Sequence, residues 1–522
     1  MNKPLACLIG CLCIASPVLA ETPQANVPAC TASACHDLGK LLEVRKDAAG
    51  ARRLYERGCD SGYLRSCVAL GDLLDPGSGN AANDAKAAAL YKEACDAGVG
   101  NGCSGLGLIH AAGAGVPKDE KIANQLYERA CDLGDGRGCV GLGFNVARGV
   151  AAPRDRQRAN ELYRRGCDLD FAIACENLSG QYEGGGETPR DWQRAVVLLQ
   201  RACALDQGSA CDRLGTVQDQ GLLGVTADAA AAMPNLDKAC TLGVVNGCMR
   251  LAARLQQQHE QEKANAVLLR GCLLKEARPC YELASNEVTG RGDLYDFVKG
   301  VQHFAEACRL KHPSGCTNLG NNYALGRGVA YDPINAMRFY KEGCELKDPA
   351  GCKLLETYPQ QFVDLSKESC RIDRVGNGCH NLGLAYLAGI GVPADKEKAR
   401  ELFEKSCDLG DRGGCNRLAE MYTGESGGPA DWAKVYGIYQ KQCTDGDGAA
   451  CNELAYYVES GKGGKADAPR ALALYQRGCG LDDFASCENL ASTYEASDKV
   501  KARELHAKAS ALKAKRPQQA SH

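Results

Sequence analysis

Cysteine is the residue with the most chemistry to offer in this chain of 522 residues. There are 31 of them, of which Cys7, Cys11 and Cys13 fall in an apolar N-terminal stretch, leaving 28. After a leading Cys30 and Cys35 come thirteen pairs: Cys59 and Cys67, Cys95 and Cys103, Cys131 and Cys139, Cys167 and Cys175, Cys203 and Cys211, Cys240 and Cys248, Cys272 and Cys280, Cys308 and Cys316, Cys344 and Cys352, Cys370 and Cys379, Cys407 and Cys415, Cys443 and Cys451, Cys479 and Cys487. All but Cys370/Cys379 enclose seven residues, and that pair encloses eight. Sulfur in such numbers can ligate zinc, hold haem or close disulfides. Zinc fits poorly, because no C-x2-C pair occurs and only eight histidines are scattered along the chain. Cys30-Thr-Ala-Ser-Ala-Cys35-His36 is a haem-attachment motif widened by two residues, and Cys35 falls in register with the periodic cysteines. No cofactor is expected. An even, periodic set implies disulfides formed in an oxidising compartment.

Other reactive constellations are isolated. Ser510 to Lys513 is an S-x-x-K, without the S-D-N and K-T-G partners that serine β-lactamase chemistry needs. Gly424-Glu425-Ser426-Gly427-Gly428 matches G-x-S-x-G, but it lies in a loop between helices instead of a strand–turn–helix elbow. No H-E-x-x-H, phosphate loop or dinucleotide fingerprint exists. More promising for binding is an asparagine two residues after the second cysteine of a pair, at Asn177, Asn318, Asn381 and Asn489. A carboxamide offers both a donor and an acceptor, which matches a peptide unit without reading its side chain. The competing role is a solvated polar residue near a helix start.

What positions these residues is a repeat. Most successive pairs start 36 residues apart, a helical-hairpin length. Three residues after the second cysteine stands Leu (Leu70, Leu106, Leu142, onwards to Leu490), followed by Gly, Ala or Ser everywhere except at Glu356. This predicts a first helix, helix A, with Leu buried and a close backbone approach beside it. Helix B carries Ala eight residues before its cysteine (Ala51, Ala87, Ala123, Ala399) and an apolar or aromatic residue four further on (Tyr55, Tyr91, Tyr127, Phe403). Those spacings make one helical stripe. Asp332-Pro333 reads as an N-cap and first helical position, and Gly98, Gly134 and Gly410 as left-handed C-terminal caps. The count is fourteen hairpins, hence 28 helices. Between Cys352 and Cys370 the step shrinks from 28 to 18 residues and contains Pro359, which predicts a shortened, irregular pair of helices.

Eight residues of continuous helix span about 12 Å, too far for a disulfide, so the chain must turn between paired cysteines. Geometry leaves two pairings, within a hairpin or between hairpins. The cysteine step across a hairpin varies from 18 to 29, whereas the step between hairpins stays at eight or nine. Aligning KARELFEKSC (398–407) with KARELHAKAS (501–510) places Ser510 where a final cysteine would lack a partner. Pairing within hairpins would orphan Cys30 and Cys487. Each helix B is therefore expected to be stapled to the next helix A, at about 2–3 kcal/mol per bridge in the chain-entropy account.

The C-x2-L-G-x2-Y run from Cys379 to Tyr386 and the G-x-G-V motifs at Gly113, Gly326 and Gly389 resemble Sel1-like repeats, relatives of tetratricopeptide repeats. The eight-residue cysteine step is similar to that of the Helicobacter cysteine-rich proteins. The resemblance covers nearly all of the chain after its first twenty residues. It implies an all-α solenoid, a right-handed α/α superhelix, that is exported and binds a protein or peptide ligand, cell-wall material included, on a concave face. It also implies, as the alternative, weak β-lactamase or penicillin-binding activity. In tetratricopeptide domains an Asn in the equivalent position holds the backbone of an extended peptide, which marks the four asparagines as peptide-binding candidates.

Charge and the N-terminus complete the picture. The formal net charge is −3 with both signs interspersed, so the basic stripe of a nucleic-acid binder is missing. Residues 1–20 read as a secretory signal: Lys3, an apolar Leu5 to Ala15, and a small-residue cleavage site at Val18-Leu19-Ala20. Lipoprotein processing at Leu8-Ile9-Gly10-Cys11 would leave too short an apolar run. No segment is long and apolar enough to span a bilayer. The expected organisation is a signal (1–20), a cap segment (21–34), the repeats (35–510) and a polar tail (511–522), with periplasmic or secreted residence.

Overall fold

The computed structural model describes residues 30–74, 77, 79–184, 189–290, 295–372, 376–424 and 430–515. Residues 1–20, expected to be a signal, residues 425–428 of the G-x-S-x-G match, and residues 516–522 of the polar tail lie outside them. Among the described residues the apolar stripes fold into 27 α-helices with no strand. The chain divides into two units, Met1–Leu242 and Gly243–His522.

Most helices are 13 residues long, and their ends are chemically marked. Helix B opens on an aspartate whose carboxylate accepts from backbone N–H groups of the first turn, as Asp119, Asp155 and Asp395 do. Asp332 does the same ahead of Pro333, which stands at the first helical position, where a missing N–H costs nothing. Three residues after the helix B cysteine the backbone turns left-handed. Gly98, Gly134 and Gly410 serve there, and so, with a side chain, do Asp170, Asp206, Lys275, Lys311 and Asp482.

The small residue after the helix A leucine has a specific neighbour. A Cβ on Gly39, Gly143 or Gly383 would come within 3.0 Å of the ring of Tyr55, Tyr163 or Phe403, the aromatic residue of the same hairpin's helix B. The helix A leucines are mostly buried; Leu38 is half-exposed because no described hairpin packs ahead of it. Within each unit successive helices A approach one another, as Gly100–Ala112 does Gly136–Arg148, and helices A therefore form the inner row.

Instead of a shortened pair, the segment with Pro359 is one continuous helix, Pro349–Ile372, and this accounts for 27 helices in place of 28. Pro359 lies eleven residues before Cys370, just as Pro333 lies eleven before Cys344. The missing residues are the last turn of a helix A and the loop after it, so the helix B register runs straight on with its opening proline retained.

Disulfides close the joints. In the first unit they are Cys30–Cys35, Cys59–Cys67, Cys95–Cys103, Cys131–Cys139, Cys167–Cys175 and Cys203–Cys211. In the second they are Cys272–Cys280, Cys308–Cys316, Cys344–Cys352, Cys370–Cys379, Cys407–Cys415, Cys443–Cys451 and Cys479–Cys487. Cys240 and Cys248 are also oxidised. Cα–Cα separations run from 4.3 Å at Cys370–Cys379 to 5.4 Å at Cys30–Cys35.

A ladder of charge runs along the helix B ends. The residue two before a helix B cysteine reaches back to the end of the previous helix B: Arg129 Nη2 donates to the Cys95 carbonyl at 2.9 Å. Where the left-handed position carries a charge, the reaching residue carries the opposite one. Arg201 meets Asp170 at 2.9 Å and Lys238 meets Asp206 at 2.8 Å. In the second unit the signs reverse, with Glu306 on Lys275 at 3.3 Å and Glu342 on Lys311 at 3.0 Å, before Lys508 restores the first arrangement on Asp482 at 3.1 Å. Hydrogen bonds from Arg309 and Lys275 hold the Glu306 carboxyl down to about 2.

Candidate ligand-binding face

The inner row of helices A carries the four candidate asparagines, all partly buried, in different repeats. Asn177 is on Ala172–Gly184 of the first unit; Asn318, Asn381 and Asn489 are on Pro313–Leu325, Asn377–Ala388 and Phe484–Tyr494 of the second. They do not converge on one site. Asn489 Nδ2 donates to Asn452 Oδ1 of the neighbouring helix A at 2.8 Å. Asn318 Oδ1 accepts from Asn321 Nδ2 at 3.4 Å. The carboxamides of Asn177 and Asn381 make no hydrogen bond to another described residue.

Helix B tyrosines also reach this face, which the cysteine spacing alone does not predict. Packed against the glycine of helix A, the ring ends in a hydroxyl beside the positions five and eight residues after the helix A cysteine. Tyr91 donates to Asp72 at 2.6 Å, Tyr340 to Asn321 at 2.9 Å, Tyr55 to Glu43 at 2.6 Å and Tyr475 to Glu459 at 2.8 Å. Burial pushes the Tyr340 phenol up to about 12. Tyr127 and Tyr163 are 7% and 3% exposed, their phenols are also raised by burial, and neither hydroxyl has a partner among the described residues. The signal was present in the sequence as the apolar residues at both acceptor positions, Leu108 and Ala111, Phe144 and Ala147.

The rest of the row differs by unit. In the second, Met249, Arg250, Ala253, Arg278 and Glu282 line a shallow cavity of about 370 Å³, with Arg278 and Glu282 4.0 Å apart. In the first, Leu108 is 58% and Phe144 49% exposed, and the Arg148 guanidinium lies 5.0 Å over the Phe144 ring.

The nearest approach to a catalytic constellation is at a joint. Asp411 Oδ2 accepts from Ser406 Oγ at 2.9 Å and Gly414 N–H at 2.6 Å, and faces His380 Nδ1 at 3.1 Å. Burial would raise the Asp411 carboxyl, but these three partners hold it below its usual range. The carboxylate sits between serine and histidine, so the imidazole does not face the hydroxyl, and Ser406 is fully buried. A nucleophile needs the opposite order and access to substrate. Thr317 Oγ1 donates to Asp348 Oδ2 at 2.5 Å at another joint, and at a third Ser486 Oγ stands 2.8 Å from the N-cap Asp483 Oδ2 and 3.3 Å from the Gly448 carbonyl of the preceding hairpin, so the network is a recurrent tie between hairpins. Ser510 and Lys513 are exposed on the helix Lys499–Lys515. Cys308, Cys316 and Glu342 cluster within 4.8 Å, but both sulfurs are in one disulfide and offer no thiolate.

Ten stretches of the chain match the Sel1 repeat: residues 32–63, 64–99, 101–135, 137–171, 172–207, 208–244, 280–312, 313–348, 376–411 and 448–483. Similar solved structures include a Sel1 repeat protein from Oxalobacter formigenes, 18% identical over 66% of this chain and 98% of that one, with a TM-score of 0.41. A protective antigen of uropathogenic Escherichia coli with an SLR fold is 18% identical over 94% and 96%, with a TM-score of 0.35. Helicobacter pylori cysteine rich protein B is 26% identical over 25% of this chain and 96% of that one, with a TM-score of 0.22. No curated protein matches the chain. With the repeat recurring over more than half of its residues, this chain belongs to the Sel1 repeat family.

Proposed function

We propose that this protein is an exported, disulfide-stapled scaffold that binds a protein or peptide along its row of helices A, the concave side of the array. The observation that carries the reading is the pair of carboxamides, Asn177 and Asn381, held part-buried on that row with donor and acceptor both unused. Both carboxamides keep access to solvent, so a peptide backbone can pair with their donor and acceptor without displacing an internal bond. Export, to the periplasm or beyond, is supported by the oxidised cysteines and the signal-like residues 1–20. No helix among the described residues is long and apolar enough to cross a membrane.

The test is affinity capture under oxidising conditions, comparing the native chain with Asn177→Ala and Asn381→Ala. Each variant is expected to lose captured partners at unchanged fold content by circular dichroism. Full retention of every partner by both variants would remove the assignment.

A further inference from the structure

Of the seven tyrosines four residues before a helix B cysteine, five have a side-chain partner for the hydroxyl and two do not, and those two are neighbours. Tyr55, Tyr91, Tyr340 and Tyr475 each give their hydroxyl proton to a side chain on the helix A of the same hairpin. Tyr439 is bonded to Tyr457 instead. Tyr127 and Tyr163 belong to consecutive hairpins, are more than nine-tenths buried, and have no acceptor among the described residues. Both positions that supply acceptors elsewhere are apolar here. Two of those apolar residues, Leu108 and Phe144, are about half-exposed, unlike the buried leucines of the same helices. The rings are buried while their hydroxyls stay open to solvent, which leaves two donors free beside exposed apolar side chains.

The neighbouring register adds two further features. Gly105 lies against the Tyr91 ring and Gly141 against the Tyr127 ring, each at 3.0 Å or less from an ideal Cβ. Asn177 holds the same register one hairpin on, following Tyr163. The helices Gly100–Ala112 and Gly136–Arg148 contain no acidic residue, and Arg148, over Phe144, has no ion-pair partner among the described residues. These two helices are therefore donor-rich, apolar and positive, while the third, Ala172–Gly184, carries Glu176, held by Gln207 and Ser209, and Glu183, paired with Arg213.

We propose that helices Gly100–Ala112, Gly136–Arg148 and Ala172–Gly184 bind an extended peptide segment that carries an apolar side chain and a nearby carboxylate. The segment crosses the helices, with the Tyr127 and Tyr163 hydroxyls donating to its backbone carbonyls. Leu108 and Phe144 cover the apolar side chain, and Arg148 takes the carboxylate. Packed helices stand about 8–10 Å apart, and an extended chain rises about 3.3 Å per residue, so consecutive hydroxyls would meet carbonyls about three residues apart. This assignment rests on the reading that the helix A row binds peptide, and it names the segment of the row and the chemistry of the occupant.

The experiment selects a phage-displayed random decapeptide library on the oxidised full-length chain and measures the selected peptides by fluorescence polarisation. Enriched sequences are expected to combine an apolar residue with Asp, Glu or a free C-terminus. The double variant Tyr127→Phe/Tyr163→Phe keeps both rings and is expected to weaken these peptides about tenfold, two hydrogen bonds' worth. Phe144→Asp should abolish binding, and Ser510→Ala, on the exposed face of the last helix, should leave it unchanged. Selected peptides that ignore the tyrosine pair but weaken in Asn381→Ala would overturn this site while leaving the general reading intact. A library with no enrichment on the native chain would overturn both. An unchanged thermal melt of the Tyr→Phe pair separates lost hydrogen bonds from lost fold.

Discussion

Two neighbouring pieces of the second unit carry the same cysteine punctuation and fold differently. In the hairpin of Asn377–Ala388 and Lys396–Asp408, Cys379 and Cys407 stand 28 residues apart and the chain folds back. In the helix Pro349–Ile372, Cys352 and Cys370 stand 18 apart and the chain runs straight. The hairpin needs Gly383, because the Phe403 ring lies against it, 2.6 Å from where a Cβ would be. The equivalent residue of the straight helix is Glu356, the one departure from the small-residue rule, and no ring folds back over it. The small residue thus belongs to the hairpin contact and not to helix A itself, whereas the disulfide joints at Cys344–Cys352 and Cys370–Cys379 are kept without the hairpin. The next hairpin's Gly391, at φ +66°, packs against the Pro359 carbonyl, as Gly328 packs against that of Phe297, eleven residues before Cys308. Pro359 therefore still docks the next loop as a helix B start does.

The strongest way to break this comparison is a leucine at the two equivalent positions. Gly383→Leu should cost about 3 kcal/mol by overpacking, and Glu356→Leu should stay within about 0.5 kcal/mol, read from urea-denaturation midpoints. Equal effects would mean that the ring is not what excludes a side chain. Next in size, replacing Cys407 and Cys415 by Ser should remove about 2–3 kcal/mol, and replacing Cys344 and Cys352 should remove as much, if a joint is indifferent to whether a hairpin or a straight helix lies beyond it.

Asp411 supplies a smaller, pH-dependent difference. Its carboxyl is held below its ordinary value in the folded chain, so its contribution is complete above that value and is lost as pH falls through the folded one. Asp411→Asn should cost about 1–2 kcal/mol at neutral pH and lose less than the native chain on acidification, followed by thermal melts from about pH 7 to 2. The smallest effect is expected on the exposed ladder. Lys275→Glu or Glu306→Lys alone should cost about 0.2–1 kcal/mol, the double exchange should restore it, and high salt should flatten all three.

Much of this was legible because it is periodic. The hairpins are written in Leu and small residues recurring after one cysteine, and in Ala and an aromatic residue before the next. The stapled joints are written in an eight-residue step that a continuous helix cannot bridge. The fused helix was not legible: ten missing residues are compatible with two short helices, and only packing decides that the helix B register continues without a turn. The candidate face was read in part. The asparagines were visible as a position, but their hydrogen bonding depends on the neighbouring helix, so Asn489 and Asn177 look alike in sequence and differ in structure. The tyrosine hydroxyls were missed because their acceptors lie 12 to 19 residues away, across a hairpin.

The charge ladder has a consequence for how such an array can change over generations. A duplicated or transplanted hairpin brings its own reaching residue and its own left-handed position. A hairpin bearing Glu306, set after one that ends in Asp206, would place two carboxylates where an ion pair stood. Repeats alike in their cores are thereby addressed by their ends. Recombination can lengthen this chain freely within a stretch of one polarity, and at a change of polarity only if both halves of a contact are inherited together.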